Sequence, residues 1–184
     1  TSKLMEDKAV QIDHSRNIIS ALQDEGKTIS LVAIDGKLAA LIALMDEVRE
    51  NAREAVTLLN KMGIDVYMLT GDNAQTAAAI AKRVGIANVL AEVLPGRKAE
   101  KVEKLKIQGK VVAMVGDGIN DAPALAAADI GIAVGTGTDV AIETGDVVLL
   151  KDDLSSVPTA INLSLATMRT IKRNLFWAFI YNVI

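Results

Sequence analysis

The sequence predicts an α/β domain built on a doubly wound parallel sheet, and three observations lead there. Short, wholly apolar runs recur at 66–69, 111–115, 130–134 and 147–150, with helix-like stretches between them. Strands apolar on both faces belong to sheets covered by helices on both sides. Glycines at 63, 85 and 109 close the stretches between the strands, as glycine closes helices. Finally, the runs 66–69 and 111–115 lead into small and acidic residues, where open parallel sheets bind their ligands.

Taken in order, the first element is a short helix over 15–25, with Ile18, Ile19 and Leu22 on one face and Gly26 at its end. Apolar runs at 29–34 and 38–44 flank Asp35-Gly36, the strongest short signal for a hairpin. Residues 1–45 therefore read as a helix and a hairpin, the edge of a domain whose remainder lies elsewhere. From Asp46 the alternation begins: a helix to about Met62, strand 66–69, helix 73–84, a short strand at 89–90 and a helix over 95–108. Strand 111–115, a short helix over 122–127, strand 130–134, a helix over 139–144 and strand 147–150 complete it. A long helix follows from about Ser155.

The last part of that helix, 175–184, is nearly all apolar and follows Lys172-Arg173. Ten residues at a rise of ~1.5 Å span about 15 Å, half of a ~30 Å hydrocarbon core. The segment is either the first half of a membrane span or a helix packed on the domain. The basic pair before it, with Trp177 and Tyr181 within it, suits a cytoplasmic membrane boundary. Phe176, Trp177, Phe179 and Tyr181 crowd this tail, and only Tyr67 lies elsewhere, so tail and body face different surroundings.

Composition narrows the chemistry. At 184 residues there is room for one compact domain and an appendage. An apolar share of 51% with 23% charged residues is a globular balance, and a net charge of −3 offers no basic field for nucleic acid. The absence of cysteine excludes disulfides, zinc knuckles and thiol chemistry. His14 reads as a surface residue at a helix start, and the scattered methionines read as core. No secretory signal opens the chain. A first residue other than methionine, and an end within an apolar run, suggest a segment of something longer.

Three places can handle phosphate. Thr70-Gly71-Asp72-Asn73 joins a hydroxyl to backbone N–H groups at a helix N-terminus, a cradle for phosphoryl oxygens. The same residues also make a simple turn and N-cap. In Gly116-Asp117-Gly118-Ile119-Asn120-Asp121, two carboxylates four residues apart, with Gly116 and Gly118 letting the backbone fold tightly, can place oxygens on magnesium. Asn120 adds an uncharged donor for a phosphoryl oxygen, although Asp, Gly and Asn also form plain surface turns. Lys98 falls in the first turn of a helix, where a cation opposes the helix dipole unless an anion is near. Solvation alone is the other reading of that lysine.

Together these stretches resemble a known family. Met68-Leu69-Thr70-Gly71-Asp72-Asn73, Leu94-Pro95-Gly96-Arg97-Lys98 and Met114-Val115-Gly116-Asp117-Gly118-Ile119-Asn120-Asp121-Ala122-Pro123 resemble the later signature motifs of P-type ATPases, in the haloacid-dehalogenase superfamily. Ala128-Asp129-Ile130-Gly131-Ile132-Ala133 and Gly135-Thr136-Gly137-Thr138-Asp139-Val140-Ala141 look like the heavy-metal branch. The resemblance implies Mg2+ and ATP as cofactors and a catalytic set of Thr70, Gly71, Asp72, Lys98 and Asn120. Thr70 and Lys98 would hold the phosphoryl group. Asp117 would bind magnesium, and Asp121 would support both the metal and Lys98. It further implies that 1–45 end a nucleotide-binding domain and that Asp46-x-x-Arg49 is a hinge. Residues 46–154 would be the later part of the phosphorylation domain, and 155–184 a connecting helix with the start of a transmembrane helix.

The tail from Asn174 resembles the membrane helix of copper(I) pumps, where Tyr181 and Asn182 would touch the transported copper(I) or silver(I). The lysine usual in zinc and cadmium pumps is absent from 175–184. The implied whole is a multi-pass membrane pump working through an aspartyl-phosphate, with its catalytic parts on the cytoplasmic face. This chain would act with the rest of that pump, because the family's Asp-Lys-Thr-Gly-Thr, Cys-Pro-Cys, Thr-Gly-Glu and His-Pro motifs are all missing from it. Two other readings stand beside this one. One is a soluble phosphatase of the same superfamily with Asp35 as nucleophile, although Lys37 stands where such enzymes carry a second acid or threonine. The other is a non-catalytic module that binds phosphate and magnesium.

Overall fold

A computed structural model describes residues 2–45, 48–116, 119–135, 143–151 and 153–183, without the side chains of residues 2, 3, 119 and 183. Asp46, at the expected hinge, and most of the expected 139–144 helix lie outside the described residues.

The N-terminal unit begins with a helix that periodicity does not signal, α1 (Ser2–Asp7), then a 3-10 turn at Asp13–Ser15 and α2 (Arg16–Asp24). Strands β1 (Thr28–Ile34) and β2 (Lys37–Leu44) pair antiparallel. Asp35 and Gly36 both adopt positive φ, at 51° and 74°, as a tight two-residue hairpin turn requires. β1 alternates exposed and half-buried residues. Its inner face, with Leu31 and Ala33 beside Leu38 of β2, packs on Met5, Val10 and Ile12. Asp35 thus sits exposed in a hairpin turn, not beyond the end of a parallel strand, which removes the basis for reading it as a nucleophile.

The remaining elements follow the expected order. Helix α3 (Ala52–Lys61) leads to β3 (Tyr67–Leu69), α4 (Ala74–Val84) and β4 (Asn88–Leu90). A 3-10 turn at Pro95–Arg97 runs into α5 (Lys98–Ile107), then β5 (Ala113–Gly116), a second 3-10 turn at Ile119–Asp121 and α6 (Ala122–Ala127). Strands β6 (Ile130–Val134) and β7 (Val147–Leu149) precede the long α7 (Ser156–Val183). Gly63, Gly85 and Gly109 follow their helices in the left-handed conformation.

All the strand pairs after β2 are parallel, but they form two ladders rather than one sheet. β3 pairs with β4, while β5, β6 and β7 form a separate three-stranded ladder with Val115 opposite Ile132 and Ala133 opposite Val148. Among the described residues, β3 and β5 each keep one unpaired edge. Lys110 reaches across between them, with Nζ 2.9 Å from Asp65 Oδ2 and 5.5 Å from the centre of the Tyr67 ring. The hydrogen bond to Asp65, then that to Tyr67, holds the Lys110 ammonium above its ordinary pKa.

The three-stranded ladder is covered on both faces, as doubly wound sheets are. On one side Val115, Ile132, Val134 and Leu149 meet Val157 and Ile161 of α7 and Leu59 of α3. On the other, Met114, Ala133 and Val148 meet Leu125 of α6.

α7 starts on a carboxylate. Asp153 accepts from the Ser155 N–H at 2.8 Å and the Ser155 hydroxyl at 2.7 Å, and Asn51 donates to it at 3.2 Å. The Ser155 hydroxyl, then the Ser155 amide, hold the Asp153 carboxyl below its ordinary pKa. A carboxyl depressed on folding stabilises the native state above its unfolded pKa of ~3.9, and that contribution is lost as pH falls through the folded value. Protection of the Ser155 amide, taken relative to its free-peptide exchange rate, is therefore expected to hold down to about pH 4 and to fall below it. The D153N variant should lose this acid step, and an unchanged step would contradict the capping role.

α7 is 28 residues long, yet no helix among the described residues is long and apolar enough to cross a membrane. Arg169, Lys172 and Arg173 interrupt it before the apolar tail begins. The expected helix entering the membrane is thus observed as a helix, but not as a span.

Candidate active site

The 70–73 loop leaves the carboxyl end of β3 and opens α4. Asn73 caps that helix, its side-chain oxygen accepting from the Thr76 N–H at 3.0 Å. The Asn73 amide also donates to the Thr76 hydroxyl at 2.9 Å. Thr70 Oγ1 donates to Asp72 Oδ2 at 2.8 Å and accepts from the Asp72 N–H at 3.1 Å. The segment after β4 stitches the loop in place: Glu92, at a left-handed φ of 56°, donates to the Asp72 carbonyl, and Val93 donates to the Thr70 carbonyl. The turn-and-cap reading is therefore present in full. The Gly71 and Asn73 amides have no hydrogen-bond partner among the described residues, so donors remain for an anion.

The second loop leaves β5. Asp117 and Gly118 lie outside the described residues, so the expected principal magnesium ligand has no described geometry. Asp121 ends the 3-10 turn and precedes α6, but its side chain does not cap that helix. Instead its Oδ1 meets Lys98 Nζ at 2.6 Å, with only 18% of the lysine side chain and 15% of the aspartate side chain exposed. Gly116 makes room for this arrangement, since a Cβ there would lie 2.7 Å from Asp121 Cβ and 3.0 Å from Oδ2. Asn120 is exposed beside them.

Lys98 thus has its anion. It is a carboxylate of this chain, 23 residues on. α5 is bound to α6 at the far end as well, where Lys106 donates to the Ala127 carbonyl at 2.8 Å, a cation at a helix C-terminus. The structure therefore unites Lys98 with Asp121, and Thr70 with Asp72. No hydrogen bond or ion pair among the described residues joins one group to the other.

The tail residues are not gathered into a site. Tyr181 is 87% exposed, and the Asn182 amide donates to the Ala178 carbonyl of its own helix at 2.8 Å. Among the described residues, no three His, Cys, Asp or Glu side chains cluster as a metal cage. Near β5 the available donors are carboxylate and amide oxygens, the hard set that suits Mg2+.

Sequence reasoning missed one participant. Thr28, at the start of β1, donates to Asp72 Oδ1 at 3.2 Å. No local signal could reveal a partner 44 residues away.

This parallel α/β core, with acidic loops beyond its strands, places the chain in the haloacid dehalogenase-like hydrolase family, whose family model matches residues 1–129. The chain is 53% identical to the copper-exporting P-type ATPase of Bacillus subtilis (strain 168) over 99% of its own length and 23% of that protein's. It is 52% identical to the enzyme of the same name from Staphylococcus aureus (strain JH9), over 98% of the chain and 23% of the relative. The chain thus spans under a quarter of these curated relatives. Among solved structures, a zinc-transporting PIB-type ATPase in the E2.Pi state matches with a TM-score of 0.73 at 43% identity, over 89% of the chain and 27% of that structure. The catalytic domain of a CPx-ATPase matches with a TM-score of 0.59 at 30% identity, over 71% and 52% of the two chains. The resemblance carried by the three motifs therefore extends over nearly the whole chain.

Proposed function

We propose that this chain is the later part of the cytoplasmic machinery of an ATP-driven heavy-metal pump that exports copper(I) through an aspartyl-phosphate. The observation that supports it best is the half-buried Lys98–Asp121 pair at the end of β5, packed against Gly116. A lysine fixed by a carboxylate at the mouth of a parallel sheet is placed to offset phosphate charge rather than to wander in solvent. In this reading Asp117 and Asp121 hold Mg2+, which offsets negative charge on the phosphoryl group when bound. Thr70, Gly71 and Asp72 line the phosphate side, and Asn120 donates to a phosphoryl oxygen.

The nucleophilic aspartate and most of the ATP site belong to the rest of the pump. The unpaired edges of β3 and β5 agree with that division, since a further strand could complete the sheet between them. Residues 1–45 then close the nucleotide-binding domain, 46–154 belong to the phosphorylation domain, and α7 leads toward the membrane. Copper(I) is favoured over zinc by the names of the curated relatives and by the tail, which has Tyr181 and Asn182 but no lysine. Silver(I) shares that coordination chemistry.

Radiolabelled ATP and Mg2+ test the proposal. The 184-residue chain is expected to take up no acid-stable label. The same chain extended upstream through an Asp-Lys-Thr-Gly-Thr segment, in its membrane, is expected to label and to do so faster with copper(I). Label on the short chain would refute the division of the site, and stimulation by zinc(II) alone would reassign the ion.

A further inference from the structure

The N-terminal unit does more than lie against α4. Gln75 Nε2 donates to the Ser20 carbonyl, the Ser20 hydroxyl and Asp24 Oδ1, at 3.2, 3.0 and 2.7 Å. Arg83 donates to the Glu25 carbonyl. The Thr76 hydroxyl, fully buried, donates to the Lys27 carbonyl at 3.0 Å. These bonds run along α4 and deliver the next residue, Thr28, to the loop that opens the helix. There Thr28 Oγ1 donates to Asp72 Oδ1 at 3.2 Å, while Asp72 Oδ2 accepts the Thr70 hydroxyl at 2.8 Å.

A hydroxyl carries one proton. While Asp72 accepts it, Thr70 has none to give a phosphoryl oxygen, which can only accept. Asp72 is itself held at its other oxygen by Thr28. We propose that Thr28 is a positioning residue that acts on Thr70 through Asp72, so that docking of the N-terminal unit on α4 and phosphoryl binding at Thr70 oppose each other. With the unit docked, the Thr70 hydroxyl is turned inward. When phosphate claims that hydroxyl, the Asp72 carboxylate is no longer fixed at Oδ2 and is free to turn away from the orientation in which Oδ1 meets Thr28. The coupling is reciprocal: whatever lifts the unit from α4 strengthens phosphate binding, and phosphate loosens the unit. The inference rests on the phosphate-binding reading of Thr70 and Lys98 given above.

Titration of the chain with inorganic phosphate and Mg2+, followed at the Gly71 and Asp72 amides by NMR, separates the two ideas. T28V keeps the shape of an exposed β-branched residue and removes only the donor. It is expected to tighten phosphate binding by about threefold to tenfold, the net scale of one ordinary hydrogen bond. T28S, which restores the donor, should bind like the wild type. Q75A, which loosens the clasp away from the loop, should act in the same direction as T28V but more weakly. K98A should weaken binding. If K98A weakens binding while T28V leaves it unchanged or weaker, the coupling is overturned and the phosphate site stands. If T28S behaves like T28V, the effect is packing and the coupling is again overturned. Absence of binding, or binding indifferent to K98A, would overturn the phosphate reading and the coupling with it.

Discussion

Replacing Lys98 with alanine is expected to lower turnover of the proposed pump by two to three orders of magnitude. The ammonium lies 2.6 Å from Asp121 Oδ1 with little solvent around either group. At an effective dielectric of ~20, a unit charge ~4 Å from the phosphoryl group is worth roughly 4 kcal/mol. Each ~1.4 kcal/mol removed from transition-state stabilisation costs a factor of ten in rate. K98R should recover part of the loss, because it restores the charge but brings a planar fork to a site built for a compact ammonium. Single-turnover labelling with ATP reads the chemical step directly. A K98A pump that labels within a factor of three of the wild type would leave the Lys98–Asp121 pair with a structural role only.

Leu125→Ala should be the most damaging single change to stability among the core residues. α6 has six residues, too few to hold itself together as an isolated helix, and so depends on what it packs against. Leu125 is 1% exposed and meets Met114, Ala133 and Val148 across the sheet face. The helix comes close enough there that a Cβ on Gly131 would lie 3.0 Å from the Leu125 carbonyl oxygen, leaving no slack to close a cavity. Leucine-to-alanine changes at such sites cost about 3–4 kcal/mol, which should lower Tm by roughly 10 °C in a chain of this size. Asp121 stands at the head of the same helix, so the Lys98 pair should loosen with it. Urea unfolding measures the first effect. A loss under about 1 kcal/mol would mean that the neighbours collapse to fill the space.

What the sequence made legible was local. Asn73 and Gly85 bracket α4 because a cap and a left-handed terminator are properties of single residues. Strand β6 and helix α6 match their expected bounds because an apolar run and a proline in the first turn need no distant partner. The Asp35-Gly36 turn was readable for the same reason. α1 was not, since a six-residue helix is fixed by Met5 packing under the hairpin rather than by its own pattern. The division of the parallel strands into two ladders is a matter of pairing, about which strand composition is silent. At the site, the residue types were visible and their partners were not. Lys98 called for an anion, but only the fold supplies Asp121, and only the fold brings Thr28 to Asp72.

α7 gives the domain a lever arm. Its first turns are gripped by the sheet through Val157 and Ile161, whereas the large apolar residues from Leu163 to Phe179 are exposed. Some twenty residues beyond that grip, at ~1.5 Å each, make a rod about 30 Å long. A tilt of about 5° at the sheet would carry its far end roughly 3 Å, the displacement of about two residues of helix rise. Motion too small to break a hydrogen bond at the Asp153 cap would arrive at the aromatic tail as a stroke.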